Sequence, residues 1–221
     1  KSNKDITSKY FIDKKQKARA SFLTEENIVL AGNNIVLYIF KKYCKNFKLI
    51  SKLEDGKKTK KKTKILVLEG NARDILSIER TALNLLQHLS GISTLTSRYF
   101  KRINSSKSIL LDTRKTTPGL RTLEKYATYI GGAKNHRLNL AERFMIKDNH
   151  LLLNSKIFEK IRKMKTNKKN NVIMECDNLY QVKKAILLKI KHILLDNMDI
   201  KKIKEACKLI GKRAKIEVSG G

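Results

Sequence analysis

The sequence predicts an α/β protein, because a β-rich N-terminal segment precedes a region in which strands and helices alternate. In the first 70 residues, segments 17–23 and 65–69 are strand candidates, and apolar side chains four residues apart predict a helix within 29–43. From residue 108 onward, short apolar runs alternate with amphipathic segments, which favours a parallel barrel or a doubly wound parallel sheet. The strand candidates of this region are residues 108–111, 144–146, 171–174, 192–195 and 215–218.

A long helix is predicted between these two regions. It begins near Asn71, with Asp74 three residues later as its capping partner. Arg80 lies two residues from an apolar position and projects away from the apolar stripe, so it is either an ordinary surface charge or a cation presented to another molecule. The stripe itself consists of Ile78, Ala82, Leu85, Leu89 and Ile92.

The chain is strongly basic. Its 221 residues carry a formal net charge of +30, with 39 Lys against 11 Arg, and the lysines are spread along the whole sequence. Aromatic residues make up only 6%, whereas surfaces that bind single-stranded nucleic acid combine cations with stacking aromatics. We therefore attribute the charge to a compositional bias and keep a basic nucleic-acid-binding protein as an alternative function. Six lysines within residues 57–64 are interpreted as a solvated hairpin, with an RNA-binding arm as the alternative.

The cysteines and the hydropathy indicate the compartment. Cys44, Cys176 and Cys207 form no CxxC pair, so the sequence supports neither a zinc site nor a thioredoxin-like motif. Scattered thiols are typical of a reducing cytosol. No stretch resembles a signal peptide or is apolar for long enough to span a bilayer. We therefore expect a cytoplasmic protein with no membrane partner.

Cationic clusters follow two of the predicted strands. Residues 112–119 come directly after the first strand of the alternating region and end in Pro-Gly, and two shorter clusters follow at 135–137 and 146–150. Polar turns at the C-terminal ends of strands are where α/β proteins place their chemistry. This many cations suit a small molecule with several negative charges. The cations are Arg114, Lys115, His136, Arg137 and Lys147, and Thr113 adds a hydroxyl group beside Arg114.

Acidic and glycine-rich groups follow the remaining strands. Glu175 and Asp196 are one strand–helix–strand step apart, so we expect them at one level on the rim of neighbouring parallel strands. Such a pair can hold ribose hydroxyls or Mg²⁺. Ser219, Gly220 and Gly221 can present backbone N–H groups to a phosphate.

Ordered runs that span nearly the whole chain resemble the quinolinate phosphoribosyltransferase family. The runs are residues 79–84 (ERTALN), 89–92 (LSGI), 94–96 (TLT), 112–119 (DTRKTTPG), 123–126 (LEKY), 131–132 (GG), 135–137 (NHR), 146–150 (IKDNH), 195–197 (LDN) and 219–221 (SGG). Their number and order make the resemblance highly specific. The alternative within this fold is a paralogous protein linked to molybdate transport that uses another substrate. The complete set of cations argues against it, namely Arg80, Arg114, His136, Arg137 and Lys147.

The resemblance implies a type II phosphoribosyltransferase-like fold. An N-terminal α/β sandwich with a linking helix is expected over residues 1–103, and an incomplete parallel α/β barrel over residues 104–221. Quinolinate and phosphoribosyl pyrophosphate are expected to give nicotinate mononucleotide, pyrophosphate and CO2, with Mg²⁺, in NAD biosynthesis. The resemblance also implies a homodimer and leaves a hexamer open. The family continues with a further strand and a second glycine-rich loop, so we expect the chain to be a fragment with an incomplete phosphate site.

The resemblance assigns a role to each candidate residue. The cations expected around the quinolinate carboxylates are Arg114, His136, Arg137 and Lys147. Lys115 is expected near both substrates, and Glu175 and Asp196 are expected to hold the ribose and metal end. Arg80 enters the site of the partner subunit. Lys115, Glu175 and Asp196 are the expected catalytic residues. The residues expected to bind substrates are Arg80, Thr113, Arg114, Lys115, His136, Arg137, Lys147, Glu175, Asp196, Ser219, Gly220 and Gly221.

Overall fold

The computed structural model describes residues 5–103 and 107–220, which form two compact units. The first unit extends to Leu138, and the second begins at Asn139. No helix within the described ranges is both long enough and apolar enough to cross a bilayer.

The first unit is an α/β sandwich, as predicted. β5 is the central strand of an antiparallel sheet of order β1-β5-β3, and β2 pairs with β4 in a second, two-stranded sheet. The strands are β1 (Lys17–Leu23), β2 (Ile28–Val29), β3 (Lys48–Lys52), β4 (Lys58–Thr59) and β5 (Lys64–Asn71). The helices are α1 (Ile6–Phe11), α2 (Asn33–Tyr43), α3 (Ala72–Ile103) and α4 (Arg121–Ile130). Side chains of β5, α2 and α3 form its core, including the fully buried Leu66, Leu68 and Phe40.

The lysine-rich segment differs from the hairpin interpretation. β4 pairs with β2, whereas β5 pairs with β1 and β3, so residues 57–64 connect two different sheets. The lysine side chains of this segment are exposed. The lysines are therefore solvated as expected, but the segment is a connection between two sheets and not a hairpin.

The start of α3 is capped by Asn71. The Asn71 Oδ1 accepts hydrogen bonds from the backbone N–H groups of Arg73 (3.1 Å) and Asp74 (3.3 Å). The Asp74 carboxylate does not complete a reciprocal capping box, because it accepts instead from the Lys45 backbone N–H at 2.9 Å. On the apolar stripe, Leu86 is more deeply buried than the expected Leu85.

Hydroxyl groups of α3 supply hydrogen-bond partners to the end of β2 and the chain directly after it. The Ser90 Oγ accepts from the Ala31 N–H and donates to the Ala31 carbonyl, both at 3.1 Å. The Ser93 Oγ donates to the Val29 carbonyl at 2.5 Å, and the Thr94 Oγ1 accepts from the Val29 N–H at 2.9 Å. Residues 29–31 are buried, so these hydroxyls satisfy polar groups that water does not reach.

The segment after α3 packs back against that helix. A Cβ atom at Gly131 would lie 2.5 Å from the Thr96 Cβ, and one at Gly132 would lie 2.8 Å from the Phe100 ring. Residues 107–138 consequently belong to the first compact unit, beyond the expected boundary at 103/104. The domain boundary itself stays a prediction.

Replacing Gly131 by alanine should lower the free energy of unfolding by about 1–3 kcal/mol, because a new methyl group has no room against α3. Gly91→Ala is the matched control, since a Cβ there meets nothing within 4 Å. The control should leave stability unchanged or raise it by up to about 1 kcal/mol. Urea unfolding measures both variants, and equal stability for the Gly131 variant and the wild type would contradict this close packing.

The second unit is a parallel α/β sheet of strand order β6-β7-β8-β9. Its strands follow one another in chain order without the reversal of a doubly wound sheet, which confirms the incomplete barrel. The strands are β6 (Phe144–Ile146), β7 (Val172–Cys176), β8 (His192–Asp196) and β9 (Lys215–Ser219). The helices are α5 (Asp148–Leu153), α6 (Ile157–Lys163), α7 (Thr166–Lys169), α8 (Leu179–Leu187) and α9 (Ile200–Ile210).

The strand expected at residues 108–111 is wrong as a buried strand. It lies in the first unit, and among the residues that the structure describes it pairs through a single parallel bridge between Leu111 and Lys134. Ile109 is 59% exposed, so the apolar run does not enter a core. The facing segment becomes a polar loop directly after Lys134, and the pairing therefore stops there.

Candidate active site

The loop at residues 112–119 begins at this bridge and carries the first pair of cations. The Lys115 N–H donates to the Thr113 Oγ1 at 3.1 Å, so the expected binding residue Thr113 also shapes the loop. Lys115 is exposed, whereas Arg114 is half-buried. The Nε of Arg114 is buried and has no hydrogen-bond partner within the part of the chain that the structure describes. A buried guanidinium N–H of this kind is available to an anion.

Arg121 of α4 holds the same loop from the other side. Its Nε donates to the Thr116 Oγ1 at 3.1 Å, and its Nη2 lies 3.4 Å from the Arg114 carbonyl. The Arg121 side chain therefore binds one side-chain hydroxyl group and one backbone carbonyl of the loop. Sequence reasoning did not identify Arg121, because nothing in its immediate neighbours distinguishes it from a surface charge.

The second cationic loop carries His136 and Arg137. The His136 Nδ1 accepts a hydrogen bond from the Arg137 N–H at 2.8 Å, which places the proton of the neutral imidazole on Nε2. Arg137 is only 9% exposed. The His136 ring is thus held by the backbone of its own loop, and the Arg137 side chain is largely buried beside it.

The Asp112 carboxylate connects the two loops. It forms an ion pair with the Lys125 Nζ of α4, and its Oδ1 accepts the His136 N–H at 2.7 Å. Its Oδ2 accepts from the Thr128 Oγ1 at 3.3 Å and from the Asn135 amide at 2.8 Å, in the amide orientation that its neighbours require. The structure therefore brings the Arg114 loop and the His136 loop together on one buried carboxylate.

Glu124 adds a further tie from α4 to the first loop. Its Oε2 accepts the Thr117 N–H at 3.1 Å, and its Oε1 lies 2.8 Å from the Nε2 of His88 on α3. Burial raises the pKa of Glu124, but the hydrogen bonds from Thr117 and His88 outweigh burial and hold that pKa below its usual value. Glu124 is therefore ionised at neutral pH and acts as an acceptor for the loop.

Arg80 lies on the exposed side of α3, outside both loops. Its side chain is exposed, and it makes no hydrogen bond or ion pair with residues 5–103 or 107–220. The expectation that Arg80 projects away from the apolar stripe is met, since Ile78 and Ala82 are buried. Its role in a partner's site stays a prediction.

In the second unit, the candidate residues lie at the C-terminal ends of the parallel strands. The Lys147 Nζ, at the end of β6, lies 3.0 Å from the Glu175 Oε2 of β7. The strand register pairs Glu175 with Leu194, so Asp196 lies two residues further along β8 rather than level with Glu175. Because side chains alternate along a strand, Glu175 and Asp196 nevertheless share one face of the sheet.

Asp196 is held by two neighbours at the end of β8. The Ser219 Oγ of β9 donates to its Oδ1 at 2.5 Å, and the Asn197 Nδ2 donates to its Oδ2 at 2.8 Å. Gly220 has φ +141°, and a Cβ there would lie 2.8 Å from the Asn197 Oδ1, so only glycine fits beside Asn197. Gly221, the last residue of the expected phosphate loop, lies outside the described residues.

The carboxylates of Glu175 and Asp196 are the candidate ligands for Mg²⁺ at this end of the sheet. The described ranges contain no group of three His, Cys, Asp or Glu side chains that could hold a metal by themselves. Protein-bound Mg²⁺ usually takes only one or two carboxylates and fills its remaining positions with water and substrate phosphates. Glu175 and Asp196 fit that mode.

Comparisons with known proteins match two family domains, whose boundary lies within α3 rather than between the two compact units. Residues 5–90 match the family model "Quinolinate phosphoribosyl transferase, N-terminal domain", and residues 92–221 match "Quinolinate phosphoribosyl transferase, C-terminal domain". A probable nicotinate-nucleotide pyrophosphorylase (carboxylating) of Methanocaldococcus jannaschii is 38% identical over 231 residues, covering 98% of this chain and 79% of the relative. The corresponding protein of Synechocystis is 36% identical over 209 residues, covering 92% and 71%. The crystal structure of NadC from Streptococcus pyogenes has a TM-score of 0.90 at 33% identity, covering 98% of this chain and 78% of that one. The chain therefore belongs to the quinolinate phosphoribosyltransferase family.

Proposed function

We propose that this chain transfers the phosphoribosyl group of phosphoribosyl pyrophosphate to quinolinate and releases pyrophosphate and CO2, giving nicotinate mononucleotide for NAD biosynthesis. Its family membership supports the activity. The observation that carries the site proposal is the pair of cationic loops joined on the Asp112 carboxylate. Such an arrangement suits a ligand with two neighbouring carboxylates, and quinolinate is a pyridine with carboxylates on adjacent carbons.

The first unit supplies the quinolinate-binding cations in this proposal. The unpartnered Nε of Arg114 supports a bidentate bond to one carboxylate, because guanidinium donors match carboxylate oxygens in pairs. His136 and Arg137 bind the second carboxylate, and Thr113 donates its hydroxyl group. Lys115 is exposed on the same loop as Arg114, which supports contact with both substrates.

The second unit supplies the groups for the ribose and phosphate end. Breaking the bond between C1 of the ribose and the pyrophosphate oxygen builds positive charge on the ribose, and the carboxylates of Glu175 and Asp196 stabilise that charge. Lys147 pairs with Glu175 in this unit, and its proposed role is that of a further cation for the quinolinate carboxylates. Ser219 and Gly220 contact phosphate from the end of β9. Mg²⁺ bound to the pyrophosphate, with Asp196 and Glu175 as protein ligands, would neutralise the charge of the leaving group.

Carbon dioxide is lost after the ring nitrogen has been ribosylated. The new bond joins the pyridine nitrogen to C1 of the ribose, and the ring becomes cationic. The carboxylate next to that nitrogen leaves as CO2, and its bonding electrons stay on the ring carbon, where the adjacent positive nitrogen stabilises them until a proton is added. The carboxylate-binding cations release this product because it carries one carboxylate fewer than the substrate.

We further propose a homodimer in which Arg80 acts in the partner's site. The exposed position of Arg80 on α3 supports this, because a cation without a partner in its own described chain is available to another subunit. A hexamer built from such dimers is compatible with the same contact.

Isothermal titration with quinolinate tests the function directly. We expect saturable binding, with nicotinate, which has one carboxylate, binding at least about tenfold more weakly, since a charge-assisted bidentate contact is lost. Formation of nicotinate mononucleotide from the two substrates is the activity readout. Absence of both quinolinate binding and product formation would overturn the proposal.

A salt titration separates this function from nucleic-acid binding. Affinity for nonspecific duplex DNA falls steeply with salt, because each neutralised phosphate releases a counterion. We expect quinolinate binding to persist at a salt concentration that abolishes any DNA binding. Tight DNA binding at physiological salt, together with no measurable quinolinate binding, would favour the nucleic-acid alternative.

A further inference from the structure

The Asp112–Lys125 ion pair is almost completely withdrawn from water. The side chains are 3% and 4% exposed, respectively. A buried ion pair is a poor source of stability in itself, because removing two charges from water costs about as much as their attraction returns. Such a pair therefore calls for a role other than stabilising the fold.

The contacts of Asp112 indicate what that role is. Asp112 stands two residues before Arg114, and its Oδ1 accepts the backbone N–H of His136 as well as the Lys125 ammonium. Its Oδ2 lies against the Asn135 amide of the second loop. One carboxylate thus fixes the point at which each cationic loop starts.

Main-chain pairing is too limited to fix these loops alone. The parallel bridge consists of the Asp112 N–H on the Lys134 carbonyl at 3.1 Å and the Lys134 N–H on the Leu110 carbonyl at 2.8 Å. Two main-chain hydrogen bonds do not set the separation of the loops beyond the bridge. Arg121 and Glu124 hold the first loop to α4, but neither contacts the His136 loop through a bond given above. The Asp112 carboxylate bonds both loops, and Lys125 from α4 pairs with it.

We propose that Asp112 and Lys125 are positioning residues that set the spacing of the two cationic loops, and through it the preference of the site for two adjacent carboxylates over one. The proposal rests on quinolinate being the ligand of these loops, as argued above. Neither residue touches the substrate; both act through Arg114 and His136. Loss of the pair is therefore expected to weaken the dicarboxylate much more than a monocarboxylate.

The test compares variants of the buried pair with a neighbouring control. Lys125→Met keeps the length of the side chain and removes its charge, while Asp112→Asn combined with Lys125→Met removes both charges, so no unpaired charge stays buried. Tyr126→Phe is the control, because Tyr126 lies next to Lys125 on α4 but donates its hydroxyl to Asp55, at 2.6 Å, away from both loops. Dissociation constants for quinolinate and nicotinate, with thermal unfolding, are measured for each.

We expect the double variant to fold and to bind quinolinate at least about tenfold more weakly, with the preference over nicotinate largely lost. Tyr126→Phe should lower stability and keep both affinities within about twofold of wild type. A folded double variant that keeps wild-type affinity and preference would overturn the proposal. If wild type itself does not bind quinolinate, it is the proposed function that fails, so the two failures are distinguishable.

Discussion

Arg114→Lys should weaken quinolinate binding by about 10- to 100-fold while phosphoribosyl pyrophosphate binding is largely kept. Lysine keeps the positive charge but loses the planar pair of donors that matches a carboxylate. It also has no group to replace the buried Nε, which has no partner among the described residues. Titration calorimetry with each substrate separately measures the two affinities.

Arg19→Lys is the matched control for this change. Arg19 lies on β1, where its guanidinium pairs with Glu69 and is largely exposed, so the same substitution should alter quinolinate binding by less than about twofold. If Arg114→Lys binds quinolinate as wild type does, Arg114 does not contact the substrate.

Arg80→Ala and Arg114→Ala should each abolish nearly all activity, and mixing the two should restore part of it. If Arg80 acts in the partner's site, a mixed dimer has one site with both defects and one intact site. After random exchange of equal amounts, half of the dimers are mixed, so about a quarter of wild-type activity is expected. Nicotinate mononucleotide formation before and after subunit exchange measures the recovery.

The control for this experiment shows that subunits have exchanged. Differently tagged subunits that co-purify after mixing confirm that mixed dimers have formed. Activity that stays at the level of the separate variants despite confirmed exchange would place Arg80 in its own subunit's site or in none.

Much of the fold could be predicted because its core strands are apolar runs of strand length. β6 to β9 begin and end within two residues of their expected bounds. The signal is strongest for β7 and β8, whose central residues are buried, whereas the central residues of β6 and β9 are only partly buried. β3 and β4 could not be predicted in this way. β3 is exposed along most of its length, and β4 consists of Lys58 and Thr59, so neither carries an apolar signal.

The residues of the candidate site were also predicted only in part. Residue type and position after a strand were sufficient to nominate Arg114, His136 and Lys147. Lys125 and Arg121, which hold the loop that carries Arg114, could not be nominated. The sequence does not distinguish a lysine or arginine that becomes buried from one that stays at the surface. The burial of Lys125 depends on how α4 packs in the folded unit, which no local pattern of the sequence indicates.

The hydroxyl groups of α3 that bond residues 29–31 also affect the order in which the protein is built. Ser90 and Ala31 are separated by 59 residues, and Ser93 and Val29 by 64. At about 5–20 residues per second, the ribosome needs about 3–12 s to synthesise the intervening chain. During that interval the buried polar groups of Val29 and Ala31 lack their partners from α3. The surroundings of these two residues during translation therefore depend on a helix that follows them in the sequence.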